Sequence, residues 1–379
     1  MRLRNEHASN SVVTDIPSMM TGVLLVGYGG FEKLEYRNDL PVPKPEAGEV
    51  LIRVAAAGVN NTDINTRIGW YSKGITTSTE AGGAKGFAAA DHVDASWSGA
   101  PLAFPRIQGA DCCGRIVAVG DGVDSGRIGE RVIVRNMMRS YVNYRAFECW
   151  TFGSECDGAF AQFAKAPSRE TYQVECAWSD IELASMPCAY STAEGMIHRA
   201  GVRAGEHVVI TGASGGVGSA AIQLAKRGGA FVTAIGGRAK ASQMVALGAD
   251  QVVPREESLL RRLGKESVDV VIDVAAGPSF PELLDVLKKG GRYAVAGAIA
   301  GPIVELDVRT LYLKDLTFLG CTFQDDIVFE NLVSYIERGE IRPVIGKTYP
   351  LSRIVEAQKD FLSKSIAGKL VLTIPQPRD

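Results

Sequence analysis

Between His207 and Gly218 the chain reads HVVITGASGGVG. A short apolar run enters a turn made of Gly212, Ala213, Ser214, Gly215, Gly216, Val217 and Gly218, and a helix-forming stretch follows. Strand, glycine turn and helix, in that order, are what a dinucleotide fingerprint requires. The missing side chain at Gly215 leaves room for a pyrophosphate, and Gly218 lets the helix lie against the strand. Backbone N–H groups at the helix start, aided by the helix dipole, hold the phosphates. About twenty residues further on, an NAD site carries an Asp or Glu for the ribose 2′-hydroxyl. Residues 231–240, FVTAIGGRAK, contain no acid. Gly236 and Gly237 open space there, and Arg238 and Lys240 bring positive charge, which suits a 2′-phosphate. The expected cofactor is therefore NADPH, with Ala275 and Gly297, each just past a later apolar run, completing its surface.

The elements that must position this turn alternate. Strands are expected at 207–211, 231–235, 251–253, 268–274, 292–296 and 317–319, with helices between most of them, which gives a parallel, doubly wound α/β sheet of the Rossmann kind. Just before it, SDIELASMPCAYSTAEGMIHRAGV reads as a helix capped at Ser179 or Asp180 and ending near Gly201. From Met19 to about Val174 the style is different. Short strands such as GEVLIRVAAAGV, GRIVAVG and GERVIVR, punctuated by Gly and Pro, form a β-rich domain. The closing GKLVLTI is another strand, so the chain end is expected to pack back onto that first domain. The resulting division is an extension over 1–18, a catalytic domain of 19–178 with 320–379, and a nucleotide-binding domain of 179–319. Residues 75–104 are rich in small side chains and have no clear period. A loop of that length is either functional or a surface excursion.

The whole chain narrows the class. Its 379 residues suit two domains, and 46% hydrophobic with 22% charged residues is an ordinary globular composition. A net charge of −2 gives no reason to expect nucleic acid or an anionic membrane as partner. Seven cysteines without a disulfide-scaffold spacing point to free thiols in a reducing, cytoplasmic compartment. No secretory leader and no run of eighteen apolar residues is found. The expected partner is a small-molecule substrate.

Several segments together resemble the medium-chain dehydrogenase/reductase superfamily. They are GEVLIRVAAAGVNNTDINTRIGWY, RIQGADCCGRIVAVGDGV, DGAFAQFAKAP, ASMPCAYSTAEGMI, TGASGGVGSAAIQLAK and GKLVLTI. The resemblance implies a GroES-like catalytic domain built from both chain ends, with the substrate in the cleft. The zinc alcohol dehydrogenases of this superfamily have a Cys at the position of Asn60 and a His at that of Ala110, while Cys188 matches their third ligand. One thiolate and one carboxylate, Asp111, do not make a three-ligand catalytic zinc site, so no metal is expected. The zinc-free branch, with quinone oxidoreductases and 2-enoyl reductases, resembles the chain most, as in Gly58-Val59-Asn60. That implies hydride transfer to a quinone or to a double bond conjugated with a carbonyl. Asn60 and Tyr71 then become the expected catalytic residues, each a hydrogen-bond donor to the acceptor oxygen. Thr192 matches a position beside the nicotinamide ring, and Lys369 a basic position near the cofactor. Asp63 and Asp111 match acidic positions that support the cleft. The same resemblance implies a homodimer along the edge strand near residues 292–323. The rival readings are an alcohol or carbonyl oxidoreductase and a non-catalytic NADPH-binding protein.

Overall fold

The strand Glu49–Val59 is the spine of the catalytic domain. It pairs antiparallel with Cys113–Val119, with Phe163–Pro167 and with Lys369–Thr373. Neighbours cover it on both sides and both faces, so EVLIRVAAAGV is buried almost throughout rather than on alternate residues. The sheet continues through Arg131–Val134 and Thr171–Gln173 on one side and Ile345–Pro350 on the other. A three-stranded sheet of Leu34–Pro41, Met19–Leu25 and Arg106–Ile107 packs with it around Leu51, Val54, Phe160 and Leu372. In the computed structural model, residues 16–91 and 93–376 are described. The extension expected over 1–18 lies outside the described residues as far as residue 15.

The second domain is a six-stranded, wholly parallel sheet in the order Gln251–Pro254, Phe231–Gly236, His207–Ile210, Val268–Asp273, Leu287–Val295, Thr317–Gly320. Helices cover both faces, and the strands read as apolar runs for that reason. Chain direction across the sheet reverses between His207–Ile210 and Val268–Asp273, so a crevice opens at their carboxyl ends.

Two boundaries differ from the sequence reading. The helix expected across 179–202 is broken in two, Asp180–Leu183 and Pro187–Ala200. Pro187 has no N–H for a preceding carbonyl and starts a new helix at its first turn. Ser179 caps the first piece through a reciprocal bond with Glu182, and Gly201 ends the second in the left-handed conformation. Past the expected boundary at 319, the helix Asp326–Glu337 still belongs to the nucleotide-binding core, where Phe329, Leu332 and Ile336 are buried with Met196 and Ala200. The chain rejoins the catalytic sheet only at Ile345.

Residues 75–104 carry little regular structure, one turn of helix at Thr79–Gly82, yet they are pinned. Arg67, fully buried, donates to Gly29 O, Gly83 O and Gln358 Oε1 at 2.7–2.8 Å and lies over the Phe31 ring. Thr79 donates to Asn65 Oδ1, and Trp70 Nε1 to Thr77 O. The insertion is thereby folded against the end of the helix Asn61–Ile68. Among the described residues, no helix is long and apolar enough to cross a membrane.

Candidate active site

The glycine turn sits at the crevice. Gly212 adopts φ +56°, which only glycine takes without strain, and the helix Gly216–Arg227 starts immediately beyond Gly215. At Gly218 a Cβ would stand 2.3 Å from Gly212 O and 2.5 Å from Ala213 Cα, so the turn closes on itself only with glycine there. Gly215 meets nothing nearer than Gly212 O at 3.3 Å and faces open space. The first-turn N–H groups of this helix have no carbonyl of their own to reach. Asp273, at the end of its strand and fully buried, braces the neighbouring loop. It accepts from Thr211 Oγ1, from Tyr293 OH at 2.6 Å, and from the backbone N–H groups of Ala275 and Ala276 at 2.8 and 3.0 Å. Ala275 is thus held beside the glycine turn. Gly297 lies past the next strand, where a Cβ would meet Val274 O at 2.9 Å. No sequence motif flagged Asp273, because its side-chain partners, Thr211 and Tyr293, lie 62 and 20 residues away in the chain.

At the second turn the three basic side chains part company. Arg238 is largely exposed and pairs with Glu257 at 2.8 Å. Lys240 turns away, donating to Lys364 O at 2.7 Å and Ile366 O at 3.1 Å. Burial and then the nearby Arg255 push its ammonium below the usual lysine range. Arg255, which sequence reading missed, takes the place beside the turn: its Nη2 lies 3.3 Å from where a Cβ on Gly237 would stand. It follows the strand Gln251–Pro254, whose parallel pairing with Phe231–Gly236 carries it there.

Across the crevice, Asn60 is the N-cap of the helix Asn61–Ile68. Its backbone N–H donates to Asp63 Oδ2 at 2.7 Å, and Gly109 N donates to Asp63 Oδ1 at 3.3 Å. The Asn60 amide is engaged at both ends. Nδ2 donates to Asp111 Oδ2 at 2.7 Å, and Oδ1 accepts from the Lys369 ammonium. Lys369 also donates to Asp111 Oδ2 at 2.7 Å and to Val59 O at 3.2 Å, and Cys188 N donates to Asp111 Oδ1 at 2.6 Å. Gly58 is glycine because a Cβ there would lie 2.3 Å from Asp111 Oδ2. Tyr71 donates to Thr62 Oγ1 at 3.1 Å, and its ring is met edge-on by Trp97 of the insertion at 4.9 Å. Burial raises its phenol pKa well above the usual value, so it stays protonated. Thr192 Oγ1 donates to Cys188 O at 2.7 Å, within its own helix. The site residues therefore form two groups, the two glycine turns on one side and Asn60, Tyr71 and Thr192 on the other, with Lys369 reaching from the Gly216 turn to Asn60. A separate cavity of about 610 Å³, lined by Tyr141, Trp150, Arg106 and Lys165 among others, includes none of them.

Comparison with known proteins identifies the family. Residues 46–176 match the alcohol dehydrogenase GroES-like domain family, and residues 216–338 match the zinc-binding dehydrogenase family. A quinone oxidoreductase of Rattus norvegicus is 29% identical, over 94% of this chain and 98% of that one. An acryloyl-coenzyme A reductase of Metallosphaera sedula is 28% identical, over 93% of this chain and 100% of that one. Among solved structures, a putative alcohol dehydrogenase from Sinorhizobium meliloti 1021 superposes with a TM-score of 0.84 at 44% identity, covering 95% of this chain and 98% of that one.

The second family description implies zinc, and the donor set does not fit one. Among the described residues, no three His, Cys, Asp or Glu side chains are grouped to hold a metal. At the positions matching zinc ligands stand Asn60, Ala110 and Cys188. A cationic ammonium already occupies the oxygens of Asn60 and Asp111.

Asp63 gives the site a pH signature. Burial raises its carboxyl from 3.8 to about 7, against the opposing pull of the Asn60 N–H and Lys369. Between those values the folded chain binds a proton that the unfolded chain has released. Stability from this group is therefore highest at low pH and falls as pH rises toward 7. Wild type is expected to lose stability relative to Asp63→Asn between pH 5 and pH 8, read as the difference in urea midpoints. A constant difference would show that Asp63 is ionised throughout.

Proposed function

Because the chain belongs to the medium-chain dehydrogenase/reductase superfamily, in its quinone oxidoreductase and enoyl reductase-like branch, we propose that it is an NADPH-dependent reductase of quinones or of double bonds conjugated to a carbonyl. The observation that carries this reading is a half-buried, protonated phenol, Tyr71, on the acceptor side of a crevice whose other side is a glycine turn for phosphates. When bound, NADPH supplies the hydride. The chain's residues do the rest. The first-turn N–H groups after Gly215 hold the pyrophosphate, and Arg238 and Arg255 beside Gly237 receive the 2′-phosphate. Arg238 gives up only an exposed pairing with Glu257 to do so, which is a small cost. Tyr71 and Asn60 face the acceptor oxygen as negative charge builds on it, and Thr192 borders the nicotinamide. Trp97, packed on Tyr71, brings the insertion into the acceptor wall. An alcohol or carbonyl oxidoreductase is the second reading, favoured by the description of the 44% identical structure. We also propose a homodimer. The strand Thr317–Gly320 ends its sheet, and Ile303, Tyr312 and Leu313 near it are exposed.

Three outcomes check these readings. Arg238→Ala and Arg255→Ala should each weaken NADPH by about ten- to a hundred-fold and leave NADH nearly unchanged, since a charge-assisted bond is worth about 1.5–3 kcal/mol. Titration of both cofactors by fluorescence decides it, and equal losses for the two would rule out phosphate reading. Leu313→Glu should convert a dimer to monomer in sedimentation, and a wild type already monomeric at micromolar concentration would dismiss the dimer. Tyr71→Phe should slow single-turnover reduction of an enone by about a hundred- to a thousand-fold, with a smaller loss for a quinone and intact NADPH affinity. Loss of one such donor costs about 2.7–4 kcal/mol in the transition state. Unchanged rates with both acceptors would reduce Tyr71 to a packing residue, and turnover of alcohols alone would favour the second reading.

A further inference from the structure

The sequence resemblance places Lys369 near the cofactor, yet its ammonium faces the other way. Its stem lies on the nucleotide turn, with Cδ 3.0 Å from where a Cβ on Gly216 would stand. Its head reaches Val59 O, Asn60 Oδ1 and Asp111 Oδ2. The side chain is 4% exposed, and that of Asp111 not at all. We propose that the Lys369 ammonium is a built-in cation filling the oxygen-lined pocket of Val59, Asn60 and Asp111, and that it acts as a positioning residue for the Asn60 amide.

An ammonium has three donors and no acceptor, and here three oxygens meet it. Because Lys369 can only donate, it takes the oxygen end of the Asn60 amide. The nitrogen end must then face Asp111, which only accepts when ionised. One Asn60 N–H is consumed at 2.7 Å, while the other has only a 3.4 Å approach to Gly58 O. That second N–H is the one left for an acceptor oxygen. Remove the cation and the amide loses the contact at its oxygen end, one of the two that fix its orientation, and Asp111 is left buried without its cationic partner. The position is imposed by backbone: Lys369 N donates to Val344 O at 2.7 Å, and Leu370 stands opposite Val59 in the antiparallel register. This role for Asn60 rests on the reductase reading, whereas the cation pocket does not.

The test separates the two. Urea midpoints of full-length wild type, Lys369→Ala, and Lys369→Ala with Asp111→Asn are measured in ammonium chloride and in tetramethylammonium chloride at equal ionic strength. Ammonium fits the vacated pocket and tetramethylammonium does not. Lys369→Ala should be selectively stabilised by ammonium, and neither of the other two proteins should be. The same response in all three proteins, or no selectivity in Lys369→Ala, overturns the cation pocket. If Lys369→Ala does not fold, Lys369→Met replaces it: pairing it with Asp111→Asn should raise its urea midpoint, and no rise overturns the proposal. The positioning role is read in the split of kinetic constants. Lys369→Ala should lose at least ten-fold in kcat with an enone, regained in ammonium, with the NADPH Kd changed less than two-fold. A loss confined to NADPH affinity overturns that role. Absence of enone and quinone turnover in wild type would instead discard the reductase reading and leave the stability result standing.

Discussion

The antiparallel pairing of Lys369–Thr373 with Ala56–Val59 is the constraint on which the site depends. The chain leaves the catalytic domain, builds a complete parallel sheet, and returns to lay its last strand beside its first long one. Register decides the outcome. A slip of one residue would send Lys369 to the opposite face of the sheet, because side chains alternate. With Leu370 opposite Val59, the ammonium meets Asn60 and Asp111, and its stem meets Gly216 of the other domain. One strand pairing thus brings Asn60 and Asp111 of the catalytic domain to the Gly216 turn.

Electrostatics then explains which residue types the crevice tolerates. Two carboxyls, Asp63 and Asp111, are buried within one helical turn's reach of Asn60, and such charges persist only when paired or hydrogen-bonded. Asp111 has the Lys369 ammonium, the Asn60 amide and the Cys188 N–H. Asp63 has two backbone N–H groups and is raised to about 7 by its burial. Gly58 is the steric counterpart of this arrangement, since any side chain there would displace the Asp111 carboxylate.

Much of this was legible before any coordinates. The glycine turn lay between a strand and a helix as its spacing implied, because turn chemistry and hydrophobic period are local properties. The alternating strands gave the parallel sheet for the same reason. The break at Pro187 was also written locally, but the helical period on either side masked it. What was not legible is non-local. Arg255 reaches Gly237 only through strand pairing, and Asp273 gathers donors from Thr211, from Tyr293 and from the loop after its own strand. Lys240 looked equivalent to Arg238 in FVTAIGGRAK, yet the approach of residues 364–366 gives its ammonium two carbonyls instead.

The insertion shows how an unpatterned segment is held in place by polar groups of a neighbouring helix. Residues 75–104 have no period from which a fold could be read, and their small side chains bury little by themselves. They are ordered from below by polar groups of one helix: Asn65 takes Thr79, and Arg67 takes Gly83 O while also holding Gly29 O and Gln358. A buried guanidinium without a carboxylate on it is costly unless its donors are satisfied, and three separate chain segments satisfy these. Burial lowers its pKa to about 10, so it remains charged at neutral pH. The same helix is capped by Asn60, and Tyr71, three residues past its end, meets Trp97 of the insertion with its ring. Helix Asn61–Ile68 therefore has two tasks, holding the Asn60 N–H through Asp63 with its first turn and anchoring the insertion with its last.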